Sequence, residues 1–353
     1  FLFYEFFGVV TNLMGGYLGA HWGLNRTMNI GLGLQVFALL MLTVPPEWLT
    51  MLWVMAAQAL SGIAKDLNKM SAKSSIKLLV PDNQQSKLYQ WVAVLTGSKN
   101  ALKGMGFFLG GALLSLFGFS HALLLMASLL ALIWLASLVL LKADLGKKKA
   151  KPKFRELLSK SRAINFLSAA RLFLFAARDV WFVIALPVYL SQQFNWDFWW
   201  VGGFLAAWTI MYGFVQSFAP HLTGKKQGRV PDGKVAFAWA AGLCLLPALI
   251  ALSLSSASFS PLAVVIVGLL AFGVLFAVNS SLHSYLIVSY AQEDGVSLDV
   301  GFYYMSNAMG RLLGTLLSGW VYQQYGLISC LWISSLFIAC AALLSLGLPK
   351  HNS

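Results

Sequence analysis

The stretch SGIAKDLNKMSAKSSIKLLVP (61–81) carries a lysine at every fourth position, at Lys65, Lys69, Lys73 and Lys77. A step of four residues advances a helix by about 40° beyond one full turn, so these four lysines face broadly the same side. The stretch therefore predicts a helix with one positively charged side. What such a helix does depends on the solvent that surrounds it.

The composition identifies that solvent as lipid. Of the 353 residues, 59% are hydrophobic and only 10% are charged, and the mean hydropathy is +0.73. Apolar runs of about 20 residues, each long enough to cross the hydrocarbon core, recur along the chain. We therefore predict an all-α polytopic membrane protein, because a barrel would show alternating ten-residue segments instead.

The apolar runs predict eleven spans. They lie at residues 1–20, 28–46, 49–69, 95–117, 121–141, 164–190, 199–219, 235–255, 260–285, 302–322 and 328–347. Because Phe1 already lies inside an apolar run, we expect one further span before it and twelve spans in the full chain.

The loops alternate between two kinds. One set contains no Lys or Arg, namely 43–50, 117–121, 191–198, 255–261 and 325–328. The other set is basic and comprises Arg26, 73–87, 142–162, 224–234 and Lys350. The positive-inside rule places the basic loops, the central linker and the C-terminus in the cytoplasm. The net charge of +13 is thus mainly a topology signal, and we expect a monomer that binds no nucleic acid.

The long basic linker predicts two halves. The predicted units are an N-terminal bundle at 1–141, a solvated linker at 142–163, a C-terminal six-helix bundle at 164–347 and a cytoplasmic tail at 348–353. Transporters are often built from two repeated halves of this kind. A weak internal repeat agrees with this, since SKNALKG (98–104) resembles SNAMGR (306–311).

Two glycine patterns resemble motifs of the major facilitator superfamily. In GGYLGAHWGLNR (15–26), the residues that fit are Gly16, Leu18, Gly23 and Arg26. Ala20 and His21 stand where the family has an aspartate and an arginine, so the charge pair usual in this loop is missing. The second pattern, within 97–111, keeps the G-x8-G-x3-G spacing of an antiporter motif at Gly97, Gly106 and Gly110. Such glycines either gate a pathway or simply pack helices together.

Several charges fall inside the predicted spans. Lys65 lies about 24 Å from the outer end of its span, and Lys99 and Lys103 lie on the next span. We expect these lysines and Lys69 to line a water-filled funnel that opens to the cytoplasm, with Asp66 pairing with one of them. Lys73 and Lys77 are expected beyond the hydrocarbon, in contact with water.

Further charges lie deeper, and they leave two interpretations open. They are Glu5, Arg178, Asp179 and Arg311. They either contact a substrate or form salt bridges between helices. The sequence contains no nucleotide-binding motif and no metal-ligand spacing, so we predict no enzyme, no metal and no cofactor.

Five stretches of the chain resemble the bacterial organoarsenical efflux permeases of the ArsJ type. They are 4–35, 61–81, 95–111, 168–183 and 301–319. The resemblance implies export of 1-arseno-3-phosphoglycerate, which glyceraldehyde-3-phosphate dehydrogenase makes when arsenate replaces phosphate. It further implies a resulting resistance to arsenate. It assigns no binding residues.

The charge pattern and the resemblance lead to one hypothesis. The proposed anion-gathering residues are Lys65, Lys69, Lys99 and Lys103, with Arg178 and Arg311 holding the anion near the midplane. Protonation of Glu5, Asp66 or Asp179 is a candidate coupling step. A transporter of ordinary organic phosphates would use the same pathway, and a non-transporting receptor or scaffold is the alternative from another class.

Overall fold

The computed structural model describes residues 2–141, 145–148, 154–158, 160–223, 231–256 and 258–349, and the regular elements within these ranges are all helical. The α-helices are α1 (Leu2–Trp22), α2 (Leu24–Met41), α3 (Met51–Leu79), α4 (Gln85–Leu140), α5 (Arg162–Phe182), α6 (Ala185–Phe194), α7 (Phe198–Leu222), α8 (Gly233–Ser255), α9 (Pro261–Tyr290) and α10 (Val296–Ser345). The predicted all-α fold is confirmed.

Each of the two longest helices is broken at one glycine. Gly118 in α4 has φ 71° and ψ 174°, and Gly326 in α10 has φ 76° and ψ −176°. Only glycine adopts such a conformation without strain, because it has no Cβ. Both α4 and α10 therefore consist of two helical rods, which meet at the lysine-free loops that separate apolar runs in the sequence.

A third break separates α5 from α6. Pro187 has no backbone N–H, so it cannot bond to the carbonyl of Val183, and the helix stops there. Ala185 is the first residue of α6, so its N–H has no partner within that helix; it donates instead to Ser318 Oγ of α10 at 3.1 Å. This bond satisfies the broken end and fixes α6 against α10.

Six helices in the described ranges are long and apolar enough to cross a membrane. They are α4, the continuous stretch of α5 and α6, α7, α8, α9 and α10. The sequence predicted eleven spans, and part of the difference arises because α4 and α10 each contain two apolar segments. Helix length and apolarity support six spans, and the count of eleven stays a prediction.

The two halves repeat the same pattern. Lys103 and Arg311 each lie fifteen residues before their helix break, at Gly118 and Gly326. Helices α1 and α10 pack together across the two halves, and so do α4 and α7. These two contacts are equivalent under the repeat, which is the arrangement of transporters built from two related halves.

The central linker is less solvated than the sequence predicted. Within its described part, the N–H of Leu24 donates to Leu145 O at 2.7 Å, and the N–H of Lys148 donates to Ala20 O at 2.9 Å. Leu157 is buried against Ala20 and Leu298. The linker thus packs on the turn between α1 and α2, because its leucines bury apolar surface there. Residues 142–144, 149–153 and 159 of this segment lie outside the described ranges.

Candidate functional site

The end of the bundle that carries the basic loops is closed by glycine contacts between the halves, and we call it the basic end. A Cβ built on Gly16 of α1 would lie 2.6 Å from the carbonyl oxygen of Ser297 in α10. A Cβ built on Gly97 of α4 would lie 2.4 Å from the carbonyl oxygen of Gly213 in α7. Backbone can approach backbone this closely only at glycine.

The antiporter-like motif is only partly used. Gly97 makes the contact just described, but a Cβ on Gly106 or Gly110 would meet nothing within 4 Å. The expectation that these two glycines pack helices is therefore wrong in this conformation. Gly104 takes their place, since its Cβ would lie 2.6 Å from the carbonyl oxygen of Ala206.

Polar bonds reinforce the closure of the basic end. Tyr89 Oη and Thr223 Oγ1 lie 2.9 Å apart, and Tyr285 Oη donates to Gln85 Oε1 at 3.1 Å. Both bonds join the N-terminal half to the C-terminal half. The predicted funnel open to the basic side is thus wrong for this conformation, because these contacts and the glycine contacts block it.

Basic side chains meet between the two halves, and we call this group the central basic cluster. Its members interact electrostatically across the interface, Lys65 with Arg311 and Lys99 with Arg171. It comprises Lys65, Lys69, Lys73, Lys99, Lys103, Arg171, Arg178 and Arg311, with the carboxylates of Asp66 and Asp179. Among described residues, the cluster sets eight bases against two carboxylates, so its field attracts anions.

The lysines of the cluster differ in exposure according to their depth. Lys65, Lys99 and Lys103, which lie farther from the basic end, are exposed. Lys73 lies nearer the basic end and is only 2% exposed. Because Lys65 and Lys99 interact with arginines of the other half, they face the space between the halves. That space is reached from the end opposite the basic end.

Asp66 is held by the N-terminal half. Its Oδ2 accepts bonds from Thr11 Oγ1 at 3.1 Å and from Asn12 Nδ2 at 3.0 Å. Its Oδ1 lies 3.5 Å from Lys69 Nζ, which also lies 3.7 Å from the ring centre of Tyr304 in α10. The predicted pairing of Asp66 with one of the regularly spaced lysines of α3 is observed, and the carboxylate orients Lys69 toward the other half.

Asp179 bridges two arginines of the C-terminal half. Arg178 Nε donates to its Oδ1 at 2.6 Å, and Arg311 Nε donates to its Oδ2 at 3.3 Å. Asp179 is fully buried, whereas the arginine side chains are 16% and 21% exposed. The salt-bridge interpretation of these residues is therefore observed. The two guanidinium groups thus lie on one carboxylate and stay partly exposed, where an anion can approach them.

The mutation Asp179→Asn is expected to destabilise the protein. It leaves two partly buried guanidinium groups without their carboxylate, and loss of one partner of a buried pair costs about 3–5 kcal/mol, less where water reaches the ions. A clear fall of the melting temperature in nanodiscs would show this.

The matched control is Asp82→Asn. Asp82 pairs with Lys77 at 2.9 Å; the lysine is buried, but Asp82 is 64% exposed. Water therefore reaches the carboxylate and screens the pair, so its loss is expected to cost less than the loss of Asp179. Equal melting temperatures for both variants would contradict the structural role of Asp179.

For two bases the structure differs from the prediction: the location predicted for Lys73 was wrong, and Arg171 was not predicted to belong to the site. Lys73 is buried beside the ring of Tyr304 at 5.1 Å, although we expected it in water, because α3 continues to Leu79 inside the bundle. Arg171 was not among the predicted site residues. Its Nε donates to Asn307 Oδ1 at 2.9 Å, and its Nη1 donates to Ser280 Oγ at 3.1 Å. An arginine in an otherwise apolar run was the available signal.

Lys77 was also expected in water and is also buried. It is 6% exposed, and its ammonium donates to Asp82 in the loop after α3. That hydrogen bond holds the pKa of the Asp82 carboxyl below its usual value. Lys77 is thus paired at the basic end, outside the central basic cluster.

The remaining predicted residues are Gly23, Arg26 and Glu5. Gly23 has φ 97° and precedes α2, so it lies at the turn between α1 and α2. Arg26 is exposed at the basic end. Glu5 lies on α1, and its side chain is outside the described part of the structure.

A cavity of about 500 Å³ lies at the end opposite the basic end, between α6 and α10. Its lining includes Tyr189, Gln192, Tyr322 and Gln323, and none of its lining residues is charged. It is therefore polar without selecting the sign of a ligand's charge. The described residues also contain no group of three or more His, Cys, Asp or Glu side chains that could hold a metal ion.

Comparison with known proteins agrees with this architecture. The human organic anion transporter MFSD10 (TETRAN) is 17% identical to this chain, with a TM-score of 0.78. The aligned region covers 98% of this chain and 83% of MFSD10. A bacterial homologue of the iron transporter ferroportin, in an outward-facing state, is 14% identical over 98% of this chain and 89% of its own, with a TM-score of 0.72. The E. coli fucose:proton symporter FucP is 14% identical over 98% and 92%, with a TM-score of 0.68.

At these identities the likeness shows the fold alone. A comparison with curated protein sequences gave no match. The family model of the Major Facilitator Superfamily matches residues 1–295. This match covers most of the chain, and the family points to a transporter rather than an enzyme. The chain belongs to the Major Facilitator Superfamily.

Proposed function

We propose that this protein is a secondary active exporter of a multiply anionic organic molecule. The central basic cluster is the observation that carries this proposal. Eight bases lie between the two halves with only two carboxylates among the described residues, on a fold whose halves can rock about a central site. Such an excess of positive charge inside a membrane protein has a large energetic cost unless it serves an anion.

We place the basic end in the cytoplasm, following the positive-inside rule. The chain then has eleven spans, since α4 and α10 each cross twice around Gly118 and Gly326. The linker and the C-terminus are cytoplasmic, and the protein acts as a monomer in a bacterial inner membrane. The described conformation is then closed toward the cytoplasm, and Lys65, Lys99 and Lys103 are reached from outside.

The proposed substrate is 1-arseno-3-phosphoglycerate, with glyceraldehyde-3-phosphate dehydrogenase as its source. Its phosphate and arseno groups are both anionic and lie at opposite ends of a short carbon chain. Lysines of the N-terminal half supply movable point charges, and arginines of the C-terminal half supply planar donors suited to phosphate. Support for this substrate comes from the family resemblance in five stretches of the chain, including the lysine-rich stretch 61–81.

Proton coupling would act through the two carboxylates. Protonation of Asp66 would weaken its hold on Lys69, and protonation of Asp179 would release Arg178 and Arg311. Either event changes the number of charges that are free to bind the substrate. Glu5 is a further candidate on α1.

Transport of a wider range of organic anions is the second candidate. The same cluster would bind sugar phosphates, and one structural neighbour is described as an organic anion transporter. A receptor or scaffold is disfavoured, because neither role requires bases between the two halves.

Everted membrane vesicles test the proposed substrate. We expect vesicles that contain the protein to take up arsenic only when arsenate, the dehydrogenase, glyceraldehyde 3-phosphate and the nicotinamide cofactor are all present. Vesicles without the protein are the control, and arsenic inside the vesicles is the measured quantity.

Three results separate the candidates. Uptake of arsenic only from the complete mixture supports the organoarsenical exporter. Uptake of radiolabelled 3-phosphoglycerate at an equal rate supports the broader anion transporter. Uptake of arsenate without the sugar phosphate would contradict the organoarsenical substrate.

A further inference from the structure

The bases of the central basic cluster form two layers. Counted along their helices from the basic end, Lys99 lies about 21 Å deep and Arg311 about 23 Å deep, and the other exposed lysines lie about 21–27 Å deep. By the same count, Lys73 lies about 9 Å deep and Arg171 about 14 Å deep. The deeper layer is open to solvent, and the shallower layer is closed.

The shallow layer contains two buried polar side chains without partners. Lys73 is 2% exposed and His283 is fully buried. In the part of the chain that the structure describes, the ammonium of Lys73 and both ring nitrogens of His283 have no hydrogen-bond partner. Buried polar groups in native proteins are almost always bonded, so such groups call for an explanation.

Arg171 connects these two residues. Electrostatic interactions link it both to Lys73 and to His283. The ring of Tyr303 lies between, with the Arg171 guanidinium 5.1 Å and the Lys73 ammonium 6.0 Å from its centre. The charged groups that interact with Lys73 include Arg171, Lys99 and Lys69. Within the described ranges, the Lys73 ammonium is not bonded to any carboxylate that would explain its burial.

The internal repeat gives an independent reason to treat Lys73 and His283 as a pair. Each lies twenty-three residues beyond the N-cap position of its helix, at Thr50 of α3 and Ser260 of α9. They thus occupy equivalent places in the two halves, as Lys103 and Arg311 do in the deeper layer. A site built from equivalent positions lies where the halves separate during transport.

We propose that Lys73, Arg171 and His283 form a second anion station, closed in this conformation, that binds a phosphate-like group of the substrate when the basic end opens. The proposal rests on the proposed export function and adds a second site to it. The substrate would bind this station first and pass to the deeper layer as the basic end closes. In the closed station, Lys73 and His283 have no hydrogen-bond partners among the described residues, whereas Arg171 is held by Asn307 and Ser280.

Transport kinetics test the station. For uptake into everted vesicles, Lys73→Met is expected to raise KM at least tenfold with little change of the maximal rate, because the deeper layer is intact. Lys73→Arg keeps the charge and should stay within about threefold of the wild type. The matched control is Lys77→Met, one turn further along the same helix and equally buried but paired with Asp82. An unchanged KM in Lys73→Met, or an equal rise in Lys73→Arg, would overturn the station.

Amine labelling gives a test that does not depend on the arsenical. In nanodiscs, a water-soluble amine reagent should modify Lys73 slowly, and 3-phosphoglycerate should reduce this labelling at least threefold while the exposed Lys87 stays unprotected. If wild-type vesicles take up no arsenic but 3-phosphoglycerate protects Lys73 from labelling, the result supports the station and contradicts the arsenical substrate. If the Lys73→Met variant takes up arsenic normally and 3-phosphoglycerate does not protect Lys73 in the wild type, the station is wrong and the proposed export function is supported.

Discussion

Replacing Gly97 by valine is expected to reduce transport at least tenfold while the protein remains in the membrane. A Cβ at this position would lie 2.1 Å from Ser217 Oγ and 2.4 Å from the carbonyl oxygen of Gly213. The hydroxyl can rotate away, but the carbonyl belongs to the backbone of α7 and cannot. The variant therefore cannot close the basic end as the wild type does.

The size of the effect follows from the balance between two conformations. Overpacking of a tight contact costs about 1–3 kcal/mol, and this cost applies only to the state in which α4 and α7 touch. A shift of about 1.4 kcal/mol changes a two-state equilibrium tenfold. Alternating access needs both states, so the rate falls with the population of the closed one.

The experiment measures uptake and the labelling of Lys73 together. Gly97→Val should lower uptake and increase the rate at which an amine reagent reaches Lys73, because the basic end stays open more of the time. Gly110→Val is the matched control, since it lies on the same helix with nothing within 4 Å of its Cβ. If both variants transport equally well, the glycine contact does not limit closure.

Much of the fold could be predicted because apolar run length depends only on local composition. The runs that end at 117 and 322 predicted helix ends near Gly118 and Gly326, where the structure shows the breaks. Polar stretches were harder. The segment after Lys69 is too charged to look like a membrane span, yet α3 continues as a helix to Leu79, because helix formation does not require an apolar face throughout.

The candidate site could be predicted only in part. The spacing of one lysine at every fourth position indicated which lysines share one side of α3, and Asp66 does pair with Lys69. The direction in which the site opens is a property of tertiary packing, so sequence periodicity gave no information about it. The same holds for Gly106 and Gly110, whose spacing suggested a contact although no helix reaches them.

Arg171 and His283 show a different limit. Each lies in a mainly apolar helix, and a packing role is the commoner explanation for such a residue. Their significance appears only when α5 and α9 come together with Lys73 of α3. Long-range proximity of this kind requires the fold, because about a hundred positions or more separate any two of the three residues.

The second large effect is expected at the pair of equivalent bases in the deeper layer. Arg311→Ala and Lys103→Ala should each abolish arsenic uptake into everted vesicles. Each removes one of the bases placed to bind the anion from opposite halves, and a charge-assisted hydrogen bond contributes about 1.5–3 kcal/mol. Neither change should prevent folding, because Asp179 keeps its bond to Arg178 and Lys103 is exposed.

Conservative and distant variants show whether charge or structure is responsible. Arg311→Lys keeps the charge but loses the planar donor pair, so partial uptake with a raised KM is expected. Lys87→Ala removes an exposed base at the start of the same helix as Lys103 and should transport normally. Protein level in the membrane and melting temperature are measured for every variant. If Arg311→Ala and Lys103→Ala both transport like the wild type, the anion does not cross between these two residues, and the central basic cluster is not its binding site.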